Sequence, residues 1–295
     1  MNVHIKYACI IGCIAIGLLI YFRALGYIIM YMNFQRKIKM KSYHKDYHFV
    51  EENHMQLLNG SFLSNGNRLK SYFITKNTGN SKQVVVLSKG HGCFITDYKE
   101  IITELVGDGY DVFSFDITGS GESEGAYPGG YQQWVIDLQA ALKVVKKQYD
   151  DIYILGHSIG GYAAATVLKD CDVPIKAVVA VAPINSGTEY ATYMHKCIPC
   201  IFTKQVWIAM HKYELKHYKE YVDYTGVAGV NATDIPILIV QGKKDRWVPV
   251  KCSIAGYSKQ IINSNANILF IEKGKHYLLN DENVRSNIRK YIKNI

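Results

Sequence analysis

The sequence predicts an α/β fold: a mostly parallel central sheet with helices on both faces, a helical insertion, and a hydrophobic helix in front. Three observations carry this reading. From residue 83 onward short apolar runs alternate with amphipathic stretches, the pattern of a parallel sheet covered on both faces. Between residues 184 and 233 the rhythm breaks into an interval too long for a connecting loop, which should carry its own helices. Residues 7–22 (YACIIGCIAIGLLIYF) contain no charge. At 295 residues, 48% of them apolar, the chain can fill one large domain plus a small extra piece.

The N-terminal segment comes first. Arg23 interrupts the apolar run, which then resumes to residue 34. A spanning helix needs about 20 mostly apolar residues. The run reaches that length with Val3 and Ile5, or with Arg23 extending its charge to the interface. A cleaved signal peptide is the rival reading, but only Lys6 precedes the run and no A-x-A-like site follows it. Residues 1–34 are therefore expected to be an uncleaved membrane anchor, with residues 7–34 in contact with the membrane. Arg23, Arg36, Lys37, Lys39 and Lys41 follow the run, which puts the body of the protein on the cytoplasmic side. Residues 35–46 read as a basic linker and 47–295 as the main domain, with a lid insertion at about 184–233.

Within the main domain, residues 47–57 and 69–75 read as strands set apart by Asn59-Gly60 and Asn65-Gly66. Residues 83–88 (QVVVLS) form a buried strand, 96–106 a helix and 112–116 a strand. The clearest helix places Tyr131, Trp134, Val135, Leu138, Leu142 and Val145 on one face. Strands at 152–155, 175–181, 237–241 and 267–271 follow, with helices at 159–169, 253–262 and 282–293.

Composition excludes several classes. The formal charge of +9 comes from scattered lysines without a basic helix or an aromatic-interleaved motif, so no nucleic-acid partner is expected. Seven cysteines (9, 13, 93, 171, 197, 200 and 252) do not form a disulfide framework and lean towards a reducing compartment. Cys197, Cys200, His211 and His217 superficially resemble a zinc spacing. The gap is too short for a finger, and the histidines fall on different faces of any one helix. No metal is expected, and Tyr190, Tyr193, Trp207 and Tyr213 read as lid packing.

Three motifs carry chemistry. Gly156-His157-Ser158-Ile159-Gly160 lies between a predicted strand and a predicted helix. A nucleophile on such a strained turn needs small neighbours, and the Ile159 N–H at the helix start can face an oxyanion. His91-Gly92-Cys93 follows the QVVVLS strand and offers a second oxyanion donor, assigned to the N–H of Cys93 with Phe94 as the alternative. Asp116-Ile117-Thr118-Gly119-Ser120-Gly121-Glu122-Ser123-Glu124-Gly125 reads as a tight rim loop whose acids have no catalytic role.

Together these motifs resemble the α/β-hydrolase superfamily, most nearly its serine-aminopeptidase/monoacylglycerol-lipase-like branch, over residues 65–295. Two features depart from that branch. Its usual Arg-Gly-His-Gly reads Thr118-Gly119-Ser120-Gly121 here, and the interval after Pro183 matches no recognised lid, so substrate is not carried over. The resemblance implies the chain order serine, acid, histidine. Asp245, in Gly242-Lys243-Lys244-Asp245-Arg246-Trp247-Val248-Pro249, matches the acid, and His276, after Gly274-Lys275, the base. Asp223 and Asp234 are fallback acids.

The implied activity is cofactor-free acyl transfer on a small-molecule ester. A serine peptidase acting on short peptides is the alternative; it would need a lid acid, with Glu189, Glu214 and Glu220 as candidates. A non-catalytic binding protein on the same fold is a third reading.

Overall fold

The computed structural model describes residues 3–76, 82–194 and 200–295. Among them, eight strands form one sheet in the order β1-β2-β4-β3-β5-β6-β7-β8. β1 (Gln56–Ser64) and β2 (Asn67–Thr75) make an antiparallel hairpin, and β2 pairs antiparallel with β4 (Asp111–Phe115). The remaining pairings are parallel. They run through β3 (Gln83–Ser88), β5 (Asp151–His157), β6 (Ala177–Val181), β7 (Ile237–Gly242) and β8 (Ala266–Ile271).

The helices are α1 (Val3–Phe34), α2 (His48–Glu52), α3 (Lys99–Gly107), α4 (Gln132–Val145) and α5 (Ile159–Thr166). α6 (Gly187–Met194), α7 (Cys200–Tyr218), α8 (Gly226–Val230) and α9 (Glu282–Lys293) follow. Two apolar cores flank the sheet, one with Trp134, Leu138, Tyr162 and Met210, the other with Ile101, Leu105 and Ile288. β3 feeds both: Val84 and Val86 enter the first and Val85 and Leu87 the second. Successive strand side chains point to opposite faces, so a strand covered on both sides must be apolar throughout. Each such fully buried side chain contributes about 1.5–3 kcal/mol.

Two expectations need correction. The strand expected at 47–57 is replaced by α2, and β1 begins at Gln56. Asn59 and Gly60 lie inside β1 opposite Tyr72 and Ser71, while Asn65 (φ 45°) and Gly66 (φ 81°) make the turn. Both dipeptides suit a tight turn, but only the second lets Gln56↔Thr75 through Ser64↔Asn67 form a full ladder. The helix expected at 253–262 is a pair of 3-10 turns, Val250–Cys252 and Ile254–Gln260.

The interval after Pro183 holds α6, α7, a 3-10 turn at Lys219–Asp223 and α8. α7 runs parallel to the second half of α1. Phe22 stacks on Phe202 at 4.2 Å, Arg23 Nε donates to Gln205 at 3.1 Å, and Gln35 donates to the Tyr213 hydroxyl. Phe22, Gly26, Ile29, Met30 and Phe34 are buried at helical spacing. Residues 5–21, by contrast, are exposed all round apart from Gly12. α1 is long and apolar enough to cross a membrane, yet its second half belongs to the core.

Gly26 is the close point of this seam: a Cβ there would stand 2.7 Å from both Ala209 Cβ and the Val206 carbonyl oxygen. Gly26→Leu is expected to destabilise the detergent-solubilised full chain by about 1–3 kcal/mol, the usual cost of overpacking. Gly17→Leu, with nothing within 4 Å, should leave thermal unfolding unchanged.

Candidate active site

β5 delivers the chain to Ser158, whose backbone (φ 58°, ψ −121°) lies in a region that side-chain-bearing residues rarely adopt. Neighbouring strands and glycines hold it there. The Ser158 N–H donates to the Val181 carbonyl at 2.8 Å, and the Tyr162 N–H donates to the Ser158 carbonyl at 3.0 Å. A Cβ at Gly156 would lie 2.3 Å from the Gly160 carbonyl oxygen, and one at Gly160 2.1 Å from that of Ser88. Only glycine lets the helix start approach β3 and β5 this closely.

The loops after β7 and β8 bring Asp245 and His276 to the same end of the sheet. His276 Nε2 is 3.1 Å from Ser158 Oγ, and its Nδ1 is 2.8 Å from Asp245 Oδ2. Asp245 Oδ1 accepts from the N–H groups of Trp247 (2.8 Å) and Val248 (2.9 Å), so both oxygens of this buried carboxylate are engaged. With the acid on Nδ1, the ring proton sits there and the Nε2 lone pair faces the serine. Asp223 and Asp234 do not enter this line. Asp223 pairs with His211 at 2.9 Å, and Asp234 is exposed.

The Ile159 N–H opens α5, where the first-turn donors have no acceptor within the helix. The Cys93 N–H makes one long bond, 3.2 Å, to the Gly90 carbonyl, whereas the Phe94 N–H is held by the Asp97 carboxylate at 2.7 Å. Exchanging the Cys93 bond for an oxyanion is the less costly of the two.

Comparison with known proteins finds related sequences and folds. Residues 79–209 match the family model described as serine aminopeptidase, S33. The chain is 26% identical to the uncharacterized protein YfhR of Escherichia coli K12 over 218 residues, 72% of this chain and 70% of that one. It is 30% identical to mouse monoglyceride lipase over 113 residues, 37% of each chain. An esterase of Pyrococcus furiosus superposes with a TM-score of 0.64 at 18% identity, covering 83% of this chain and 93% of its own. This chain is a serine hydrolase with an α/β-hydrolase fold.

Several residues that position the hydrolase's site were not singled out from the sequence. The buried His157 donates through Nε2 to the His276 carbonyl (3.2 Å), and its Nδ1 accepts from the Tyr98 hydroxyl (3.0 Å). That hydroxyl in turn accepts from the Gly90 N–H at 2.9 Å. Burial, reinforced by His276 alongside, lowers the His157 pKa to about 3, so the ring stays neutral and carries the one proton this chain needs. Lys89 is a buried cation paired with Asp116 at 3.0 Å; Asp116 also accepts from the Tyr72 hydroxyl at 2.9 Å. The Trp134 indole donates to the Lys89 carbonyl at 3.1 Å. The Phe34 ring meets Tyr131 at 4.6 Å and His91 at 5.9 Å, and His91 stacks on Trp134 at 5.7 Å. A lysine between an apolar strand and His-Gly was the visible signal for the ion pair.

The candidate acids of the interval after Pro183 are otherwise engaged. Glu189 accepts from the Tyr257 hydroxyl at 2.8 Å, and the fully buried Glu214 accepts the Tyr131 N–H at 2.8 Å. The side chain of Glu220 lies outside the described residues, as does Cys197 of the zinc-like set. In that set His211 is paired with Asp223, and His217 donates to the Tyr213 carbonyl at 2.7 Å.

Burial raises Glu214 to about 7, so folding favours its neutral form. A raised carboxyl contributes stability that is fully present below its unfolded value, about 4.3. That contribution is lost as pH rises through about 7. Glu214→Gln keeps an acceptor for Tyr131 and cannot ionise. Chemical denaturation at pH 5 and pH 8 should therefore show the wild-type protein losing stability relative to this variant at the higher pH. A difference that does not change with pH contradicts the assignment.

Proposed function

We propose that this hydrolase is membrane-anchored and cleaves carboxylic esters, lipid-derived ones among them, through an acyl-enzyme on Ser158. The single observation that carries the reading is the unbroken hydrogen-bonded line Ser158–His276–Asp245. In the proposed mechanism Ser158 Oγ attacks the ester carbonyl as His276 Nε2 takes its proton. Asp245 stabilises the resulting imidazolium, and the N–H groups of Cys93 and Ile159 receive the oxyanion. His276 returns the proton to the departing alcohol. Water then attacks the acyl-enzyme by the same route and frees the acid. The chemistry calls for no cofactor.

Lipid-derived substrates are supported by the likeness to monoglyceride lipase and by α1. The freely exposed residues 5–21 rise about 25 Å, close to the ~30 Å hydrocarbon core, with Arg23 at its edge. Retention of the helix is supported by its buried second half: cleavage beyond Phe34 would strip Phe22, Ile29, Met30 and Phe34 from the core. The basic residues after the helix support a cytoplasmic catalytic domain. The peptidase alternative draws on the name of the matching family, but the internal bonds of Glu189 and Glu214 leave neither poised for a peptide's amine.

Steady-state kinetics across an acyl series tests this. Monoacylglycerols in detergent micelles are expected to exceed short soluble esters in kcat/KM. Asp245→Asn should lower kcat by about 10⁴ with little change in KM. Equal rates along the series would sink the lipid reading, and faster cleavage of aminoacyl anilides would move the peptidase forward.

A further inference from the structure

A cavity of about 460 Å³ opens beside the His91-Gly92-Cys93 turn. That turn forms part of its lining together with His157, while Lys39, Lys41 and His44 line it from the segment after α1. The segment is fastened to the rim loop. The Ile38 N–H donates to the Gly119 carbonyl at 2.9 Å, the Gly121 N–H to the Ile38 carbonyl at 2.8 Å, and Lys37 Nζ to the Ser123 carbonyl at 3.1 Å.

His44 is 7% exposed, with its ring 4.5 Å from that of Phe94. Its Nδ1 accepts the Lys41 N–H at 3.2 Å, so in the neutral ring the proton sits on Nε2. Among the described residues no hydrogen bond engages that Nε2–H, and the ring lines the cavity, so the donor is free for an acceptor that enters there. Lys39 and Lys41 have no carboxylate partner among the described residues; Lys41 Nζ lies 5.7 Å from the Tyr43 ring. The lining holds one carboxylate, Asp97, whose Oδ2 already accepts from the Phe94 N–H. Its polar groups thus leave an excess of positive charge and of donors.

Gly90 ties the cavity to the reaction. A Cβ there would touch Cys93 Sγ at 3.4 Å and Ser158 Cβ at 3.5 Å, so the cavity wall and the nucleophile are about one residue apart. We propose that this cavity receives an anionic group of the ester substrate, a phosphate or carboxylate, with His44 donating to it and Lys39 and Lys41 supplying the charge. The proposal rests on the ester-hydrolase reading for its substrate and names the substrate class more closely. A lipid headgroup and a small soluble acyl ester carry the same anion.

Calorimetric titration of the full chain with glycerol 3-phosphate, and with glycerol as the control, reads the site without ester chemistry. Glycerol 3-phosphate is expected to bind and glycerol not. Lys39→Glu combined with Lys41→Glu, both on the surface, should weaken binding about tenfold or more, and so should His44→Phe, which keeps a ring on Phe94. No binding, or binding equal in all three proteins, overturns the proposal.

Hydrolysis then compares monobutyrin with its 3-phosphate, and monoolein with its 3-phosphate in neutral micelles. A phosphate preference in both pairs, lost in the double lysine variant while monobutyrin is cleaved as before, supports a site for soluble and lipid esters alike. Preference in the oleoyl pair alone assigns the anion to a lipid headgroup. Binding with no preference in either pair overturns the substrate role. Binding without cleavage of any of the four esters keeps the anion site and overturns the ester-hydrolase reading instead.

Discussion

The site depends on one tight place in the backbone, where β5 ends and α5 begins with Ser158 held at positive φ between them. The strain persists because the surroundings over-determine it: Gly156 and Gly160 admit no side chain, and both neighbouring parallel strands fix the turn. The sheet then does the rest. β5, β7 and β8 run parallel, so the loops carrying Ser158, Asp245 and His276 leave from the same edge, although 118 residues separate serine from histidine. A further hydrogen-bonded line, Gly90 to Tyr98 to His157 to the His276 carbonyl, joins the His91-Gly92-Cys93 turn to the loop that carries His276. The Cys93 turn and His276 are thereby fixed relative to one another as well as to Ser158.

The N-terminal helix enters this arrangement more deeply than a tether would. Its exposed first half is fit for lipid, but its second half pairs with α7, and Phe34 at its end packs on the aromatic group that includes His91. The next four residues reach the rim loop, where Ile38 bridges Ser120. Whatever positions α1 therefore bears on α7 and on the His91-Gly92-Cys93 turn through direct contacts. The N-terminal helix and α7, which the sequence presents as separate segments, form one packed unit.

What could be read from the sequence was local. Apolar runs of strand length, the helical stripe from Tyr131 to Val145 and the glycine-flanked Ser158 each express a constraint imposed by near neighbours, so their pattern is visible in a short window. Asp245 and His276 follow from the family resemblance, which implies their order along the chain and their places after strands; in the structure His276 meets both Ser158 and Asp245. The missed features depend on partners distant in sequence. Asn59-Gly60 looks like a turn until the pairing of β1 with β2 claims it, and Lys89 looks like a surface charge until Asp116 joins it. Phe22, Gly26, Ile29, Met30 and Phe34 sit in an apolar background where a one-sided stripe cannot stand out. Only α7, about 180 residues later, reveals which face is buried.

Labelling of the detergent-solubilised full chain with a fluorophosphonate, read by mass spectrometry of the peptide that carries Ser158, tests the activated nucleophile most directly. The geometry predicts one rapid adduct on Ser158, absent in Ser158→Ala and slowed by about 10³ or more in His276→Ala. Folded wild-type protein that stays unmodified, or an adduct on a different serine, would contradict it.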